Sequence, residues 1–368
     1  MRAWSVFVGL ALVGCGPQGS EERRWQGIEA RPATAQHFTV FATTEGHRLL
    51  VFGDSAHTDT IGDMVVPHGG LERIAVLSTT HLPYLSTLGT ADHVVAAAHL
   101  EQVRDGATKE RRAAGQVVEI GTADGVDREA LITASPDVLL GYPFGRSGSD
   151  TVVAGVPLLM IAEYLEPHPL GRAEWLKFFG VLVGKADLAD SLYTGIAQRY
   201  DAAKSNVSGN QRPKVLFGSY WNGQWWVPPG NSYMAQFIED AGGDYLFSDR
   251  RGKENIAVDM ETMIALGEQV DAWGIITSSD LEIGYPDFHH GDGRVEHIKA
   301  FGTHRLFYAN SAVSDLFGKA VLEPDIVLND LVYCLTAEPS RYPAEGTNPY
   351  FNPLAPWRFD DDVEQVSN

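Results

Sequence analysis

The 368-residue chain has little cysteine, and this scarcity excludes several kinds of site. Its two cysteines are Cys15 and Cys334. Since Cys15 is expected to be lipidated, as argued below, Cys334 has no partner for a disulfide, and a cysteine-based metal site is excluded. Cys334 lies in the apolar stretch 326–335 and is predicted to be a buried helix residue.

The chain also lacks long apolar runs and an excess of positive charge. After the N-terminus no apolar stretch approaches the roughly 20 residues that span a bilayer. The longest, residues 152–162, is interrupted by Pro157 and is predicted to be a buried strand. Asp and Glu number 48 against 28 Lys and Arg, which gives a net charge of -20. This charge argues against a nucleic acid partner and against direct docking on anionic lipid.

Sequence motifs of common enzymes are absent as well. The chain has no Gly-x-Ser-x-Gly, no Walker loop, no Cys-x-x-Cys pair and no His-Glu-x-x-His. We therefore do not predict an enzyme. A hydrolase whose nucleophile and base meet only in space is the alternative that the sequence leaves open.

The N-terminus does contain a lipoprotein signal. Arg2 precedes an apolar run at residues 4–14, and Leu12-Val-Gly-Cys15 matches a lipobox, at which bacterial exported proteins are cleaved and acylated. We predict a lipoprotein signal peptide over residues 1–15, lipidation of Cys15 and a flexible tether over 16–35. An ordinary cleaved signal peptide is the alternative. The mature protein is expected outside the cytoplasm, held on a bacterial membrane only through its lipid anchor.

The rest of the chain predicts an α/β architecture, because short apolar strands alternate with helices in two similar halves. The stretch 218–230 in the second half is predicted to be a loop. The predicted parts are an N-terminal lobe over 36–184 with an extra hairpin at 37–52, an interlobe helix over 185–206, a C-terminal lobe over 213–322, and a C-terminal helix and tail over 323–368.

Two patterns support this division. The helix over 185–206, about 30 Å long, carries an apolar stripe of Leu188, Leu192, Ile196, Tyr200 and Ala203. Asp127-x-Glu129 and Asp259-x-Glu261 open helices at matching places, and each helix is followed by a strand that begins at an Asp. We predict two Rossmann-like lobes with parallel-type sheets, joined by one long rigid helix.

Four segments resemble a known family. Among them Pro169-Leu-Gly-Arg-Ala-Glu-Trp175 is the most specific motif; the segments are residues 73–83, 129–137, 163–175 and 239–244. They are similar to the solute-binding proteins of ABC importers for iron–siderophore complexes and cobalamin, the class III periplasmic binding proteins. The resemblance implies two α/β lobes around a rigid helix and a monomer that delivers a small metal chelate to an ABC permease dimer with its ATPase.

The resemblance also implies that one surface Glu of each lobe meets the permease. By position these are Glu129 and Glu261. The alternative is that each carboxylate only interacts favourably with the positive end of its own helix dipole.

Ligands of such folds bind outside the carboxyl ends of the strands, here in the cleft between the lobes. The candidate ligand-binding residues are the aromatic and basic residues of those loops: His81, Tyr84, Tyr142, Arg146, Tyr164, Arg172, Trp221, Trp225, Trp226 and Tyr285. Arg172 is a candidate clamp for carboxylate or catecholate oxygens, with an ion pair to Glu163 or Glu174 as its alternative. For each Trp the alternative is core packing.

These observations predict a lipid-anchored solute-binding protein for a ferric siderophore, with a corrinoid or haem as the alternative ligand. Binding of bare zinc or manganese ranks lower, because the twelve histidines are scattered along the chain. His289 and His290 near Asp292 are candidate metal contacts, with a surface loop as the alternative. No resident cofactor is predicted.

Overall fold

The computed structural model describes residues 28–30, 32–122, 125–143, 152–207, 212–343 and 347–356. The predicted signal peptide with Cys15, most of the predicted tether, Arg146 and the residues from 357 onward lie outside these residues. Within them, no helix combines the length and the apolar character needed to cross a membrane. Cys334 is buried in a helix, as predicted.

The secondary structure alternates short strands and helices. In chain order, the strands of the described residues are β1 (Ile28–Ala30), β2 (Phe38–Ala42), β3 (Gly46–Phe52), β4 (Thr60–Pro67), β5 (Ile74–Val76), β6 (Val94–Ala97), β7 (Val118–Glu119), β8 (Gly121–Thr122), β9 (Gly125–Val126), β10 (Val138–Gly141), β11 (Leu158–Met160), β12 (Lys214–Trp221), β13 (Gln224–Val227), β14 (Asp244–Tyr245), β15 (Ile256–Val258), β16 (Ala272–Thr277), β17 (Leu306–Asn310) and β18 (Asn352–Pro353). The α-helices are α1 (Leu82–Thr87), α2 (Gly106–Ala113), α3 (Arg128–Ala134), α4 (Pro169–Leu182), α5 (Ala186–Ser205), α6 (Tyr233–Asp240), α7 (Met260–Ala265), α8 (Pro286–His289), α9 (Lys299–Gly302) and α10 (Pro324–Thr336).

Strands β1 to β4 form an antiparallel sheet in chain order, which we call the N-terminal sheet. The hairpin expected from the sequence is its centre, where β2 pairs with β3 and Phe38 lies opposite Val51. Gly62 on β4 lies so close to the edge strand β11 that an added Cβ would be 3.0 Å from Cδ1 of Leu159. The N-terminal sheet therefore packs directly against the first lobe.

The N-terminal lobe contains a five-stranded parallel sheet in the order β11-β10-β5-β6-β7. Strands β5 and β10 are buried along their whole length. This explains their continuous apolar sequence, which is typical of a parallel sheet covered on both faces. Oδ2 of Asp137, just before β10, accepts the backbone N–H of Arg73 over 2.9 Å and so ties two neighbouring strands together.

The C-terminal lobe repeats this plan. Strands β14, β12, β16 and β17 are parallel, and β18 adds an antiparallel edge. Asp271 before β16 accepts the N–H of Lys214 over 2.9 Å, the counterpart of the Asp137 contact. Asp127 and Asp259 cap α3 and α7 by accepting N–H groups over 2.9 and 2.8 Å. The predicted α/β fold with parallel sheets in two lobes is confirmed.

The prediction of a loop over residues 218–230 is wrong. β12 continues to Trp221 and pairs with β13 in an antiparallel hairpin, and β15 pairs with the outer side of β13. Asn222 and Gly223 at its tip both have positive φ, 52° and 81°. An Asn-Gly pair with these angles is typical of a type I′ hairpin turn, a signal that the sequence already contained.

Helix α5 contacts both lobes. Gly184, two residues before its first residue, packs against the backbone of Gly69, and near its end the hydroxyl of Tyr200 donates to Oδ2 of Asp240 over 2.8 Å. Its buried stripe consists of Ala189, Tyr193, Ile196, Tyr200 and Ala203. The predicted stripe began with Leu188, which is 42% exposed, because repeated steps of four drift around a helix that has 3.6 residues per turn.

Helix α4 is not predicted by the spacing of apolar residues in the sequence. Every residue in it except Lys177 is buried, so it has no polar face to produce an amphipathic period. Its Trp175 ring lies 5.0 Å from that of Phe38 in the N-terminal sheet. This helix therefore forms part of the core beneath the cleft described next.

Candidate ligand-binding cleft

A cavity of about 770 Å³ lies between the two lobes, where the parallel strands of both end. Ser78, Thr80 and His81 reach it from the segment after β5, and Tyr142 follows β10. Ile276, near the end of β16, lines it from the C-terminal lobe. The cavity thus occupies the position predicted for the ligand of such a fold.

Three ionisable side chains meet at the base of this cavity. Oε1 of Glu163 accepts the hydroxyl of Thr80 over 2.9 Å and lies 3.8 Å from Nη2 of Arg172. Oε2 of Glu163 lies 3.9 Å from Nε2 of His81. All three side chains are at least nine-tenths buried, so their interactions are weakly screened by solvent.

Arg172 has fewer partners than a buried guanidinium needs. Its Cζ lies 4.2 Å from the centre of the Tyr233 ring, and among the described residues its Nε has no hydrogen-bond partner. Burial lowers the pKa of Arg172, but the facing Tyr233 and Glu163 more than offset this, so the net shift is upward. Arg172 therefore stays charged, and a guanidinium with a spare N–H suits an oxygen-bearing ligand.

His81 is the neutral partner in this group. Burial lowers the pKa of His81, although Glu163 opposes the shift, so the imidazole is uncharged at neutral pH. Its Nδ1 is buried and, within the described part of the chain, unbonded. Buried polar atoms are normally hydrogen-bonded, so this nitrogen is an exception within the buried group.

Aromatic side chains from both lobes line the cavity walls. Tyr142 and Tyr164 come from the first lobe, and Trp226 and Tyr233 come from the second. Burial raises the pKa of Tyr164 to about 12, so its phenol stays protonated. Such rings offer flat apolar surface for a conjugated ligand, together with hydroxyl groups for hydrogen bonds.

The described charges of the cavity are balanced. The lining residues include two acidic side chains, Glu163 and Glu254, and two basic ones, Arg172 and Lys253. The lowered pKa of His81 keeps that residue neutral. The cavity is thus locally close to neutral in a chain whose net charge is -20.

Several predicted ligand-binding residues do not line the cavity. Tyr84 is buried behind it and donates its hydroxyl to the Arg172 carbonyl over 2.8 Å. Trp225 is buried in the second lobe, with its ring 5.4 Å from that of Trp273, because neighbouring strand residues point to opposite faces of a hairpin and Trp226 takes the cleft side. Trp221 is 68% exposed at the hairpin end.

Tyr285 is also outside the cavity lining. Its ring packs edge-on against Phe301 at 5.2 Å. Nearby, the His290 ring stacks on Tyr220 at 3.9 Å, and Nε2 of His289 lies 3.5 Å from Glu296. Among the described residues, no three His, Cys, Asp or Glu side chains are grouped to hold a metal ion. Arg146 lies outside the described residues.

The structure adds cavity residues that the sequence reasoning does not find. Tyr233 is the first residue of α6, directly after its N-cap Ser232. The sequence predicts its place at the start of a helix but not its contact with Arg172. Lys253 lies in a polar segment without a motif. Gln36 and Ser55 belong to the N-terminal sheet and its connections.

Glu129 and Glu261 both lie exposed in the first turns of α3 and α7. Glu261 is 72% exposed and lies 3.1 Å from Nη1 of Arg294. Their placement is equivalent in the two lobes, since both helices begin at an Asp cap. Their part in docking stays a prediction.

A family model described as a periplasmic binding protein matches residues 74–313. An uncharacterized lipoprotein of Methanocaldococcus jannaschii is 29% identical over 234 residues, 61% of this chain and 54% of the relative. The chain thus spans about half the length of that relative.

Two solved structures are similar in fold. A periplasmic haem-binding protein of Pseudomonas aeruginosa has a TM-score of 0.58 at 18% identity, with 78% of this chain and 99% of that chain covered. A component of an ABC-type Fe3+-hydroxamate transport system from Saccharomonospora viridis has a TM-score of 0.57 at 17% identity, with 73% and 94% covered. At such identities the likeness concerns the fold.

Proposed function

Because the chain belongs to the periplasmic binding protein family, whose members are solute-binding transport proteins rather than enzymes, we propose that it is an extracytoplasmic solute-binding protein anchored by a lipid on Cys15. It captures an iron–siderophore-type metal complex in the cleft and delivers it to an ABC permease. The lipobox supports the anchor, and so does the relative described as a lipoprotein.

The observation that carries this proposal is the buried Arg172 at the base of a cavity between the lobes. A volume of about 770 Å³ falls in the range of about 300–1,000 Å³ that is usual for small-molecule sites. Arg172, Glu163 and Thr80 place polar groups at the base, and the tyrosines add phenolic donors. Siderophores carry many oxygen atoms around a chelated ion, and these groups suit such a surface.

A corrinoid or haem is the second candidate. The aromatic lining, with Trp226 and Tyr164, favours a flat conjugated ligand. A hydrolase has less support, because the hydroxyl of Ser78 bonds to Thr80 over 2.8 Å and the imidazole of His81 faces Glu163. A serine nucleophile needs its hydroxyl on the general base.

The test is calorimetric titration of the full chain in detergent. The probes are a ferric catecholate, a ferric hydroxamate, haem, cobalamin and bare Zn²⁺ and Mn²⁺. We expect one metal complex to bind at submicromolar concentration and Arg172→Ala to weaken it about tenfold or more, the cost of losing a charged hydrogen bond. Arg199→Ala, a change on the exposed side of α5, is the matched control. Absence of binding across the panel would overturn the proposal.

A further inference from the structure

The N-terminal sheet lies outside the part of the chain that the family model matches, which begins at residue 74. The segments just before its strand β2 and just after its strand β3 nevertheless supply part of the cavity. Gln36, His37, Gly53 and Ser55 line it alongside the residues of the two lobes. We call these four residues the third wall.

The third wall is held in place by two buried carboxylates of the Glu163–Trp175 motif. Glu174 accepts the backbone N–H groups of Ala33, Thr34 and Ala35 over 2.8, 2.7 and 2.9 Å. These three hydrogen bonds to one carboxyl group fix the chain just before the wall to helix α4.

Glu166 continues this attachment into the wall itself. It accepts the N–H groups of Gln36 and His37 over 2.8 and 3.1 Å and the indole N–H of Trp175 over 2.9 Å. Both carboxylates are fully buried. Lifting the sheet away would break these five backbone hydrogen bonds, so the wall is a fixed part of the cleft.

The third wall also reaches the second lobe. Nζ of Lys253 donates to the carbonyl of Gly53 over 3.0 Å, and Lys253 itself lines the cavity. The cleft is therefore bounded by a continuous surface that runs from the N-terminal sheet to the C-terminal lobe. Gln36 and Ser55 are exposed on this surface, and their amide and hydroxyl can donate and accept hydrogen bonds.

We propose that the third wall contacts the bound molecule and determines which metal complexes fit. It selects them by size and by the hydroxyl, carbonyl or amide groups that they present to Gln36 and Ser55. This inference rests on the proposed function, because it assigns the selectivity of the same cleft.

The experiment compares Ser55→Phe with Ala56→Phe by calorimetry on the full chain, using the probe complexes named above. The two residues are adjacent and exposed, but Ser55 lines the cavity and Ala56 does not. We expect Ser55→Phe to weaken binding of the complex that the unchanged chain prefers by about tenfold or more, and Ala56→Phe to change it by less than about twofold.

Gln36→Leu provides a second test that adds no bulk. It removes the amide at nearly constant size and should weaken complexes with polar peripheries by about tenfold, while Gln102→Leu, an exposed change in the first lobe, should not. If Arg172→Ala abolishes binding while Ser55→Phe and Gln36→Leu match their controls, the third wall is overturned and the proposed function stands. If no complex binds the unchanged chain, both fall.

Discussion

Arg172 and Glu163 face each other across 3.8 Å in the base of the cleft, with side chains 8% and 3% exposed. This separation is too long for a hydrogen bond yet short enough for the two charges to offset each other. Glu163 therefore offsets the buried charge of Arg172 without forming a hydrogen bond to it, and Nε of Arg172 has no partner among the described residues.

Removal of the Glu163 charge should change selectivity. With Glu163→Gln, Arg172 is no longer neutralised, so a ferric tris-catecholate, which is strongly anionic, should gain about tenfold in affinity relative to a neutral ferric tris-hydroxamate. The ratio of the two dissociation constants from calorimetry is the measurement. Glu268→Gln, an exposed change on the second lobe, is the control, and an unchanged ratio for Glu163→Gln contradicts the idea.

The attachment of the N-terminal sheet should contribute strongly to stability. Glu174→Gln replaces one oxygen acceptor by an amide donor that faces backbone N–H groups. We expect the free energy of unfolding, measured by urea denaturation, to fall by about 2–4 kcal/mol. Glu239→Gln on exposed helix surface should leave it nearly unchanged. Equal stability of the two variants would show that the carboxylate does not hold the sheet.

Glu166 should make stability depend on pH. Burial raises the pKa of Glu166 from 4.5 to about 7, against the lowering effect of its three N–H donors. The folded state thus binds this proton more tightly than the unfolded state. The contribution of Glu166 to the free energy of unfolding is therefore complete below pH 4.5 and is lost as the pH rises through 7, a change of about 3 kcal/mol.

The check compares urea unfolding of the unchanged chain and of Glu166→Gln from pH 5 to pH 8. Gln does not titrate, so the free energy of unfolding of the unchanged chain should fall relative to that of the variant as the pH rises. All other titrating groups cancel in the difference. If the free energy of unfolding of the unchanged chain instead rose relative to that of the variant, the N–H donors would lower the pKa of Glu166 more than burial raises it.

Docking should depend on Glu129 and Glu261 together. We expect the double charge reversal Glu129→Lys with Glu261→Lys to abolish ligand uptake in cells that carry the permease, while calorimetry shows unchanged ligand affinity, because neither residue lines the cavity. Glu110→Lys with Glu268→Lys tests whether any two exposed charges have this effect. Normal uptake by the Glu129→Lys, Glu261→Lys variant would show that these two residues do not dock the protein on the permease.

Ligand binding should move the lobes only slightly. Gly184, just before helix α5, packs against Gly69, and Tyr200 near the end of the helix bonds to Asp240, so a large hinge motion would have to break these contacts. Spin labels on Glu110→Cys and Glu239→Cys report the distance between the lobes. A change of many ångströms on ligand addition would contradict a rigid connection.

Much of the fold could be predicted because its signals are local. The caps at Asp127 and Asp259, the apolar strands and the long helix over 185–206 depend on neighbours in sequence. Helix α4 is not predicted, because it has no polar face: every residue in it except Lys177 is buried. The second-lobe hairpin is missed for another reason, since Asn222-Gly223 is a local signal of its turn that the loop prediction does not use.

Capping residues, strand periodicity and the family motif are all found in contiguous residues, so the α/β class, the internal repeat of the lobes and the family follow from the sequence. Which side chains meet in the cleft depends on tertiary packing. Trp226 lines it and Trp225 does not because strand pairing sets the direction of each. Glu174 accepts a backbone N–H from a residue 140 positions away in the sequence. No local pattern predicts such a contact, because the contact depends on how helices and strands pack once they have formed.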